Sequence, residues 1–293
     1  MTTLPRPGRI PSSNQTPRRI LLLGFSGLLL APAVGRAQGG RFFPDVPSFE
    51  YPAAAPRATA FVGRILSVQN ADNGFGEGKE AEAGVGETFS FLALRRGDVP
   101  ITLGFGVEAY ARFSLDDAKS SLISTDWVVG IDLGVDFGPW RTTLRLYHES
   151  SHLGDEYVQR FDASRLDWTR EVLEAWIRYS TGPWSFIGSG SLALADELGL
   201  DRPGAMLAVD YHGGRFTLLG EPAQPVAAIH FEGMAATDWR INTSARLGIV
   251  FPAGASGKPS FGLSLIAHEG LSTQRQFFRS ENGYIGMEIR FDF

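Results

Sequence analysis

The sequence contains no cysteine among its 293 residues. The chain therefore has no disulfide, no thiolate metal ligand and no cysteine nucleophile, which excludes several classes of enzyme. It also lacks a large excess of one charge: 27 basic and 32 acidic residues give a formal net charge of −5, so we expect no nucleic-acid partner. No stretch is apolar over the roughly 20 residues that a membrane-spanning helix needs. Glycine and aromatic residues are abundant instead, at 35 residues and 12% of the chain respectively.

The first residues have the pattern of an export signal. The basic pair Arg18 and Arg19 precedes an apolar run over 20–30, and small residues follow up to Ala37. This order predicts a secretory signal peptide over residues 1–37, cleaved after Ala37. The alternative is a membrane anchor, but the apolar run is shorter than the roughly 20 residues that span a bilayer as a helix.

A proline-rich lead-in follows the predicted signal and covers residues 38–56. Proline favours extended backbone and interrupts helices. We predict that this lead-in lies extended on the periplasmic side of an outer membrane. Residues 57–293 are then predicted to form one folded domain.

Apolar and polar residues alternate through this domain. In the stretch 101–115 every odd position is apolar, whereas the even positions carry Thr, Gly, Glu, Tyr, Arg and Ser. Residues 127–137 repeat the pattern, with apolar residues from Trp127 to Phe137 at odd positions and mostly Gly or Asp between them. A period of two indicates β-strands with one apolar and one polar face.

About twelve such runs can be placed, each of about the length that crosses a membrane as a tilted strand. Tight turns such as Gly97-Asp98 and Gly138-Pro139 alternate with long links such as 152–167. Short periplasmic turns, long outer loops and an even strand number are typical of bacterial barrels. We therefore predict an all-β fold, a closed antiparallel transmembrane β-barrel of about 12 strands. The predicted strands cover residues 57–69, 86–95, 101–115, 127–137, 139–151, 168–180, 183–194, 203–211, 225–235, 239–251, 258–269 and 281–293.

The end of the chain favours a barrel over the alternative, a secreted β-sandwich that would also bury one face of each strand. Apolar residues occupy every second position of the last strand, and the final residue is Phe293. This ending resembles the C-terminal strand signal of outer-membrane barrels. The resemblance implies a location in the outer membrane of a didermic bacterium, with the barrel-assembly machinery as a partner that reads Phe293.

One segment, residues 146–156, is dense in reactive side chains, and it lies at the outer end of the fifth predicted strand. Parity places Arg145, Tyr147 and Glu149 on one face. The other face carries apolar residues and also His148 and Ser150, so we expect it to meet outer-membrane lipid.

The spacing of His148 and Ser150 suits proton transfer. Residues two apart on a strand lie about 6.6–6.8 Å apart on the same face, so an imidazole there can take the proton of a serine hydroxyl. Polar groups on a lipid-facing surface are costly unless they have a partner or a role. A third group must orient the histidine, and Asp162 lies twelve positions beyond Ser150. The acids that compete with it are Asp155, Asp167 and Glu171.

His148-Glu149-Ser150 resembles the His-x-Ser motif of outer membrane phospholipase A and of the lipid A deacylases. Those families are barrel enzymes whose outward-facing sites hydrolyse acyl esters in the outer leaflet. The resemblance implies that His148 is the general base, that Ser150 is the nucleophile, and that Asp162 takes the place of the orienting Asn or Glu. The Asn that usually follows the serine is Ser151 here.

A broader resemblance covers most of the mature chain. Residues 148–156, the Phe43-Pro44 lead-in and the ending in Phe resemble an uncharacterised family of bacterial outer-membrane proteins, a domain of unknown function. This resemblance implies a barrel and no particular activity.

Two other interpretations of the cluster stay open. In the first, the segment is the polar rim of a non-catalytic barrel, either a narrow channel or a structural envelope protein. In the second, it binds a metal ion, although residues four apart on a strand lie about 13 Å from each other, too far for one ion unless the strand bends. We predict no cofactor; the side chains of the metal alternative are His148, His152, Asp155 and Glu156.

Overall fold

The computed structural model describes residues 40–44, 46–58, 60–71, 78–253 and 260–292. The predicted signal peptide and the terminal Phe293 lie outside these ranges. None of the helices in the described ranges is long and apolar enough to span a bilayer.

Twelve antiparallel strands form the described domain, and they close into a barrel. Each strand pairs with its neighbours along the chain, and the last strand pairs with the first from Asn282 beside Ala71 to Phe291 beside Phe61. The predicted fold and strand number are confirmed. The strands are β1 Phe61–Ala71, β2 Gly78–Arg96, β3 Val99–Ser114, β4 Leu122–Phe137, β5 Trp140–Leu153, β6 Trp168–Thr181, β7 Trp184–Asp196, β8 Pro203–His212, β9 Glu221–Met234, β10 Asn242–Phe251, β11 Ser260–Glu269 and β12 Asn282–Asp292.

A few short elements decorate the barrel in the described ranges. Strand Gly40–Phe42 pairs with β2, and strand Phe216–Leu218 pairs with the start of β9. Helix α1, Asp155–Phe161, lies in the link between β5 and β6, where the alternation pattern predicts only a loop. Two 3₁₀ turns, Ala235–Thr237 and Arg275–Phe277, lie in later links.

The apolar and polar residues that alternate in the sequence lie on the outer and inner faces of the barrel, respectively. On β3 the even residues from Thr102 to Ser114 are buried, while Phe105 and Val107 are exposed. On β4, Trp127 and Ile131 are exposed in the same way. The outside of the barrel is therefore apolar and its inside is polar, the reverse of a water-soluble domain and the arrangement that lipid requires.

The two ends of the barrel differ. At one end, here called the turn end, two-residue hairpins connect β2 to β3, β4 to β5 and β6 to β7. Each of these hairpins begins with a glycine at positive φ, of 62° at Gly97, 59° at Gly138 and 54° at Gly182, a conformation that favours glycine. At the other end, here called the loop end, longer links such as 154–167 and 270–281 connect the strands.

The lead-in lies inside the barrel, and residues 46–58 are here called the plug. Phe49 is buried against Trp176 and Ile187 of the barrel wall, and the backbone N–H of Ala53 donates to both carboxylate oxygens of Asp210 at 3.1 Å. The periplasmic side of the lead-in stays a prediction, but these residues pack inside the barrel and do not extend away from it. The physical reason is that the barrel interior offers both an apolar pocket and polar partners for the plug backbone.

Buried ion pairs lie in the lumen beside the plug. Arg145 pairs with Asp132 at 2.8 Å and with Glu108 at 3.2 Å. Arg112 pairs with Glu80 at 2.9 Å. Each of these carboxylates has a guanidinium partner, with Asp132 and Glu108 sharing Arg145, so ion pairs offset part of the cost of burying the charges.

The link 270–281 folds over the loop end. Gln276 donates to the backbone carbonyls of Ser151 and Leu166, at 2.8 and 2.9 Å, and Phe278 packs on Trp168 with ring centroids 4.9 Å apart. This link fixes the ends of β5 and β6, the two strands that carry the predicted site.

Candidate functional site

The predicted histidine and serine both lie on the outer face of β5, near the loop end. Glu149 and Ser151, on the opposite face of the same strand, are buried in the lumen. His148 and Ser150 alternate with them and therefore face outward, as parity predicts. The imidazole is 38% exposed, so a molecule in the surrounding medium can reach it.

A carboxylate on the neighbouring strand binds the histidine. Glu171 of β6 lies directly across from His148 in the strand ladder, and its Oε1 is 2.8 Å from Nδ1 of the imidazole. When Nδ1 carries the proton that is donated to Glu171, the lone pair of Nε2 is available to act as a base. The structure thus brings together a histidine and an orienting acid, the arrangement that activates a serine in hydrolases.

Asp162, the first candidate for that acid, lies elsewhere. It follows α1 as the C-cap residue, with a positive φ of 49°, on the link above the barrel. Of its competitors, Asp155 pairs with Arg165, and Asp167 accepts a hydrogen bond from Thr169 at 3.2 Å. Among the four acids considered from the sequence, Glu171 is the one that the structure places on His148.

Ser150 lies between Trp127 of β4 and Thr169 of β6, its direct neighbours in the ladder. The Trp127 side chain is 50% exposed, and its indole N–H donates to Thr125 at 3.3 Å. In the described chain no hydrogen bond joins the Ser150 hydroxyl to His148. Catalytic hydrogen bonds are often long in a free enzyme and shorten when substrate binds. A serine and a base that form no hydrogen bond in the free protein are therefore compatible with catalysis.

The strand that carries the pair is held from inside. Glu149, between His148 and Ser150, accepts hydrogen bonds from Trp168 at 2.9 Å and from Arg275 at 3.0 Å. It also forms an ion pair with Arg57 of the plug. These contacts join β5, β6, the plug and the link 270–281. They hold in place the end of β5 that carries His148 and Ser150.

The metal alternative receives no support from the geometry. Within the ranges that the structure describes, no three His, Asp or Glu side chains lie close enough together to hold a metal ion. His152 is exposed on the outer face, while Asp155 and Glu156 begin α1 beyond the strand end.

Two other histidines line the lumen. His268 is buried, with its ring nitrogens 2.9 Å from Ser244 Oγ and from the carbonyl oxygen of Leu271. His230 is buried as well. Ser189, the serine of the Gly-Ser-Gly sequence, donates to Glu174 at 2.7 Å and is not near a histidine–acid pair.

The fold is similar to that of solved outer-membrane barrels. Outer membrane phospholipase from Salmonella typhi, described as a dimer with bound calcium, has a TM-score of 0.57 and 13% identity over 85% of this chain and 94% of that chain. Outer membrane phospholipase A from Escherichia coli has a TM-score of 0.56 and 14% identity at the same coverage. LpxR from Salmonella typhimurium has a TM-score of 0.38 and 11% identity, over 80% of this chain and 100% of that chain.

The similarity to the two phospholipase structures and the apolar outer face define the class of protein: a closed β-barrel of the outer-membrane type. At such low identity the similarity shows a common fold and no more. The chain belongs to the family described as "Protein of unknown function (DUF1207)", whose model matches residues 40–293. None of the curated proteins matches the chain in sequence.

Proposed function

We propose that the protein is a serine esterase that hydrolyses acyl esters of lipids in the outer membrane. The observation that carries the proposal is the hydrogen bond between His148 and Glu171 on the outward face, beside Ser150. The similar Escherichia coli structure is itself a phospholipase by its description, which agrees with this assignment without establishing it.

The chemistry follows from the roles of the three side chains. Nε2 of His148 removes the proton of Ser150 as the serine oxygen attacks the ester carbonyl, and Glu171 stabilises the imidazolium that forms. Collapse of the tetrahedral intermediate expels the alcohol, which takes the proton from His148. Water, deprotonated by the same histidine, then attacks the acyl-serine and releases a fatty acid and the free hydroxyl of Ser150.

The position of the site favours a lipid as substrate. Trp127 and Val129, the β4 neighbours of Ser150 and His148 in the strand ladder, are exposed apolar residues on the outer face. A histidine and a carboxylate on such a surface cost free energy in a membrane unless they interact with polar groups. The ester region of a lipid supplies both polar groups and apolar chains at this depth.

The plug occupies part of the interior. Phe49 and Tyr51 of the plug pack against Trp176 of the barrel wall, and the guanidinium group of Arg145 lies over both plug rings. In the alternative function, a narrow channel, the aqueous path has to run beside these contacts.

A covalent trap tests the serine assignment. Purified barrel in detergent micelles is treated with a long-chain alkylsulfonyl fluoride, and the digested protein is analysed by mass spectrometry. We expect the serine oxygen to displace fluoride, so that a sulfonyl adduct appears on Ser150. In His148→Asn the adduct should form at least about 10²-fold more slowly, because the base is lost. Absence of an adduct on Ser150, or equal labelling of the two proteins, would contradict the proposal.

Replacing each of the two candidate acids in turn tests which one orients the histidine. Glu171→Gln should lower kcat for phospholipid hydrolysis by about 10²- to 10⁴-fold with little change in KM, because the imidazolium loses its charged partner. Asp162→Asn is the matched control and should leave kcat unchanged, since Asp162 lies on the link beyond α1. Loss of activity in the Asp162 variant alone would assign the role to Asp162 instead.

A further inference from the structure

Attack by Ser150 on an ester requires a hydrogen-bond donor that His148 and Glu171 do not supply. When the serine oxygen adds to the carbonyl carbon, the carbonyl oxygen becomes negatively charged, and enzymes that transfer acyl groups stabilise this oxyanion with N–H or O–H donors. The histidine and its acid act on the serine proton. The donor for the oxyanion therefore has to come from other groups around Ser150.

In the described strand, the backbone around Ser150 offers no free N–H for this purpose. Residues 140–151 of β5 pair with β4 on one side and with β6 on the other, and neither ladder has a register shift. Successive residues of a central antiparallel strand direct their N–H groups to the two neighbouring strands in turn. The N–H groups on both sides of Ser150 are thus used within the sheet, so the oxyanion donor must be a side chain.

Trp127 is the direct ladder neighbour of Ser150 on β4, and it carries an N–H donor. Its side chain is exposed on the outer face. The indole donates to the hydroxyl of Thr125 at 3.3 Å, a long hydrogen bond between exposed groups that an anionic acceptor can replace. The neighbour on the other side, Thr169, donates its own hydroxyl to Asp167 at 3.2 Å. Of the two ladder neighbours, Trp127 is the one with a donor suited to the oxyanion.

The histidine and the indole N–H lie on opposite sides of Ser150. His148 precedes Ser150 by two residues, toward the turn end, and its imidazole is held by β6. Thr125, which accepts the indole N–H, lies on β4 across from His152, two residues beyond Ser150 toward the loop end. The serine proton can therefore leave on one side while the carbonyl oxygen of the ester accepts a hydrogen bond on the other, as acyl transfer by a serine requires.

We propose that Trp127 is a catalytic residue whose indole N–H binds the oxyanion of the tetrahedral intermediate at Ser150. This inference rests on the proposed esterase function. The N–H moves from Thr125 to the carbonyl oxygen as negative charge develops there. When the intermediate collapses, the C=O double bond re-forms, the alcohol leaves with the proton from His148, and the N–H returns to Thr125. No covalent bond to Trp127 forms or breaks in this cycle.

Trp127→Phe tests the role, because it removes the N–H and keeps an aromatic ring. In mixed micelles of phospholipid and detergent, kcat should fall by about 10²-fold with little change in KM, as expected when one oxyanion donor is lost. Trp140→Phe is the matched control: Trp140 lies on the outer face of β5 at the turn end and is 44% exposed. Its kcat should equal that of the wild type.

Inhibition by a long-chain trifluoromethyl ketone gives a readout that a merely structural role of the indole would not change. The oxygen of Ser150 adds to the ketone carbon, the serine proton passes to His148, and the ketone oxygen becomes an oxyanion like that of the intermediate. The inhibition constant should rise by about 10²-fold in Trp127→Phe, in parallel with the fall in kcat/KM, and should not change in Trp140→Phe.

The outcomes separate this inference from the esterase proposal. Wild-type protein that neither hydrolyses phospholipid nor is labelled on Ser150 by the sulfonyl fluoride would exclude both. An active wild type with an unchanged kcat in Trp127→Phe would exclude only the role of the indole. Equal losses in the two tryptophan variants, a rise in KM alone, or a loss that occurs in His152→Phe and not in Trp127→Phe would exclude it as well.

Discussion

Replacing Ser150 with alanine should lower the rate of acyl-ester hydrolysis by roughly 10⁴-fold or more, to the level given by binding alone. The reason is that the side-chain oxygen of Ser150 is the nucleophile of the proposed mechanism. The measurement is the release of fatty acid from mixed micelles of phospholipid and detergent, with kcat and KM determined separately. KM should change little, because the methyl group of alanine leaves the surrounding surface intact.

Ser151→Ala provides a matched control for this experiment. Ser151 is the next residue on the same strand, but it is buried on the lumen face. Both variants remove one hydroxyl from β5, so a general weakening of the strand would affect them equally. Full activity in Ser150→Ala would exclude this serine as the nucleophile. Equal losses in the two variants would show that the effect is structural.

The outward position of His148 and Ser150 could be predicted, whereas which of the four candidate acids contacts His148 could not. Parity within β5 depends only on the sequence period, so His148 and Ser150 were assignable to one face without knowledge of other strands. The contact with Glu171 spans 23 residues of sequence. It depends on the register of β5 against β6, which the link 154–167 sets by forming α1. The resemblance to the barrel enzymes pointed to Asp162 through its distance of twelve residues from Ser150, and distance along the chain carries no information on strand register.

The barrel itself was predictable because strand period, turn glycines and link lengths all indicate the same fold. The plug was not, since its prolines indicate only an extended chain. The three consecutive small residues from Ala53 to Ala55 are the feature of the sequence that is consistent with a plug. All three are buried, and small side chains suit a segment that passes through a lumen lined by large charged groups. Whether a segment lies inside the barrel depends on the space that the side chains of the barrel wall leave in the lumen, which is a property of the tertiary structure.

The plug also changes the energetic role of the lumen charges. Arg145 is 1% exposed, and its three donor nitrogens are all used. Two bind Asp132 and Glu108 of the wall, and Nη1 donates to the hydroxyl of Tyr51 in the plug at 2.9 Å. Its guanidinium carbon also lies 3.9 Å from the centre of the Phe49 ring. One side chain thus pairs with two wall carboxylates and also anchors the plug.

Arg145→Met should therefore destabilise the barrel strongly, by about 3–5 kcal/mol of unfolding free energy at neutral pH. Methionine has a similar length and fills much of the same space, so the loss comes mainly from leaving Asp132 and Glu108 buried without their partner. The measurement is urea unfolding in lipid vesicles, followed by tryptophan fluorescence. Arg165→Met is the control, because Arg165 pairs with Asp155 on the surface, where the two side chains are 53% and 81% exposed. Such a pair contributes at most about 1 kcal/mol, so equal unfolding midpoints for the two variants would show that the buried network does not hold the plug and wall together.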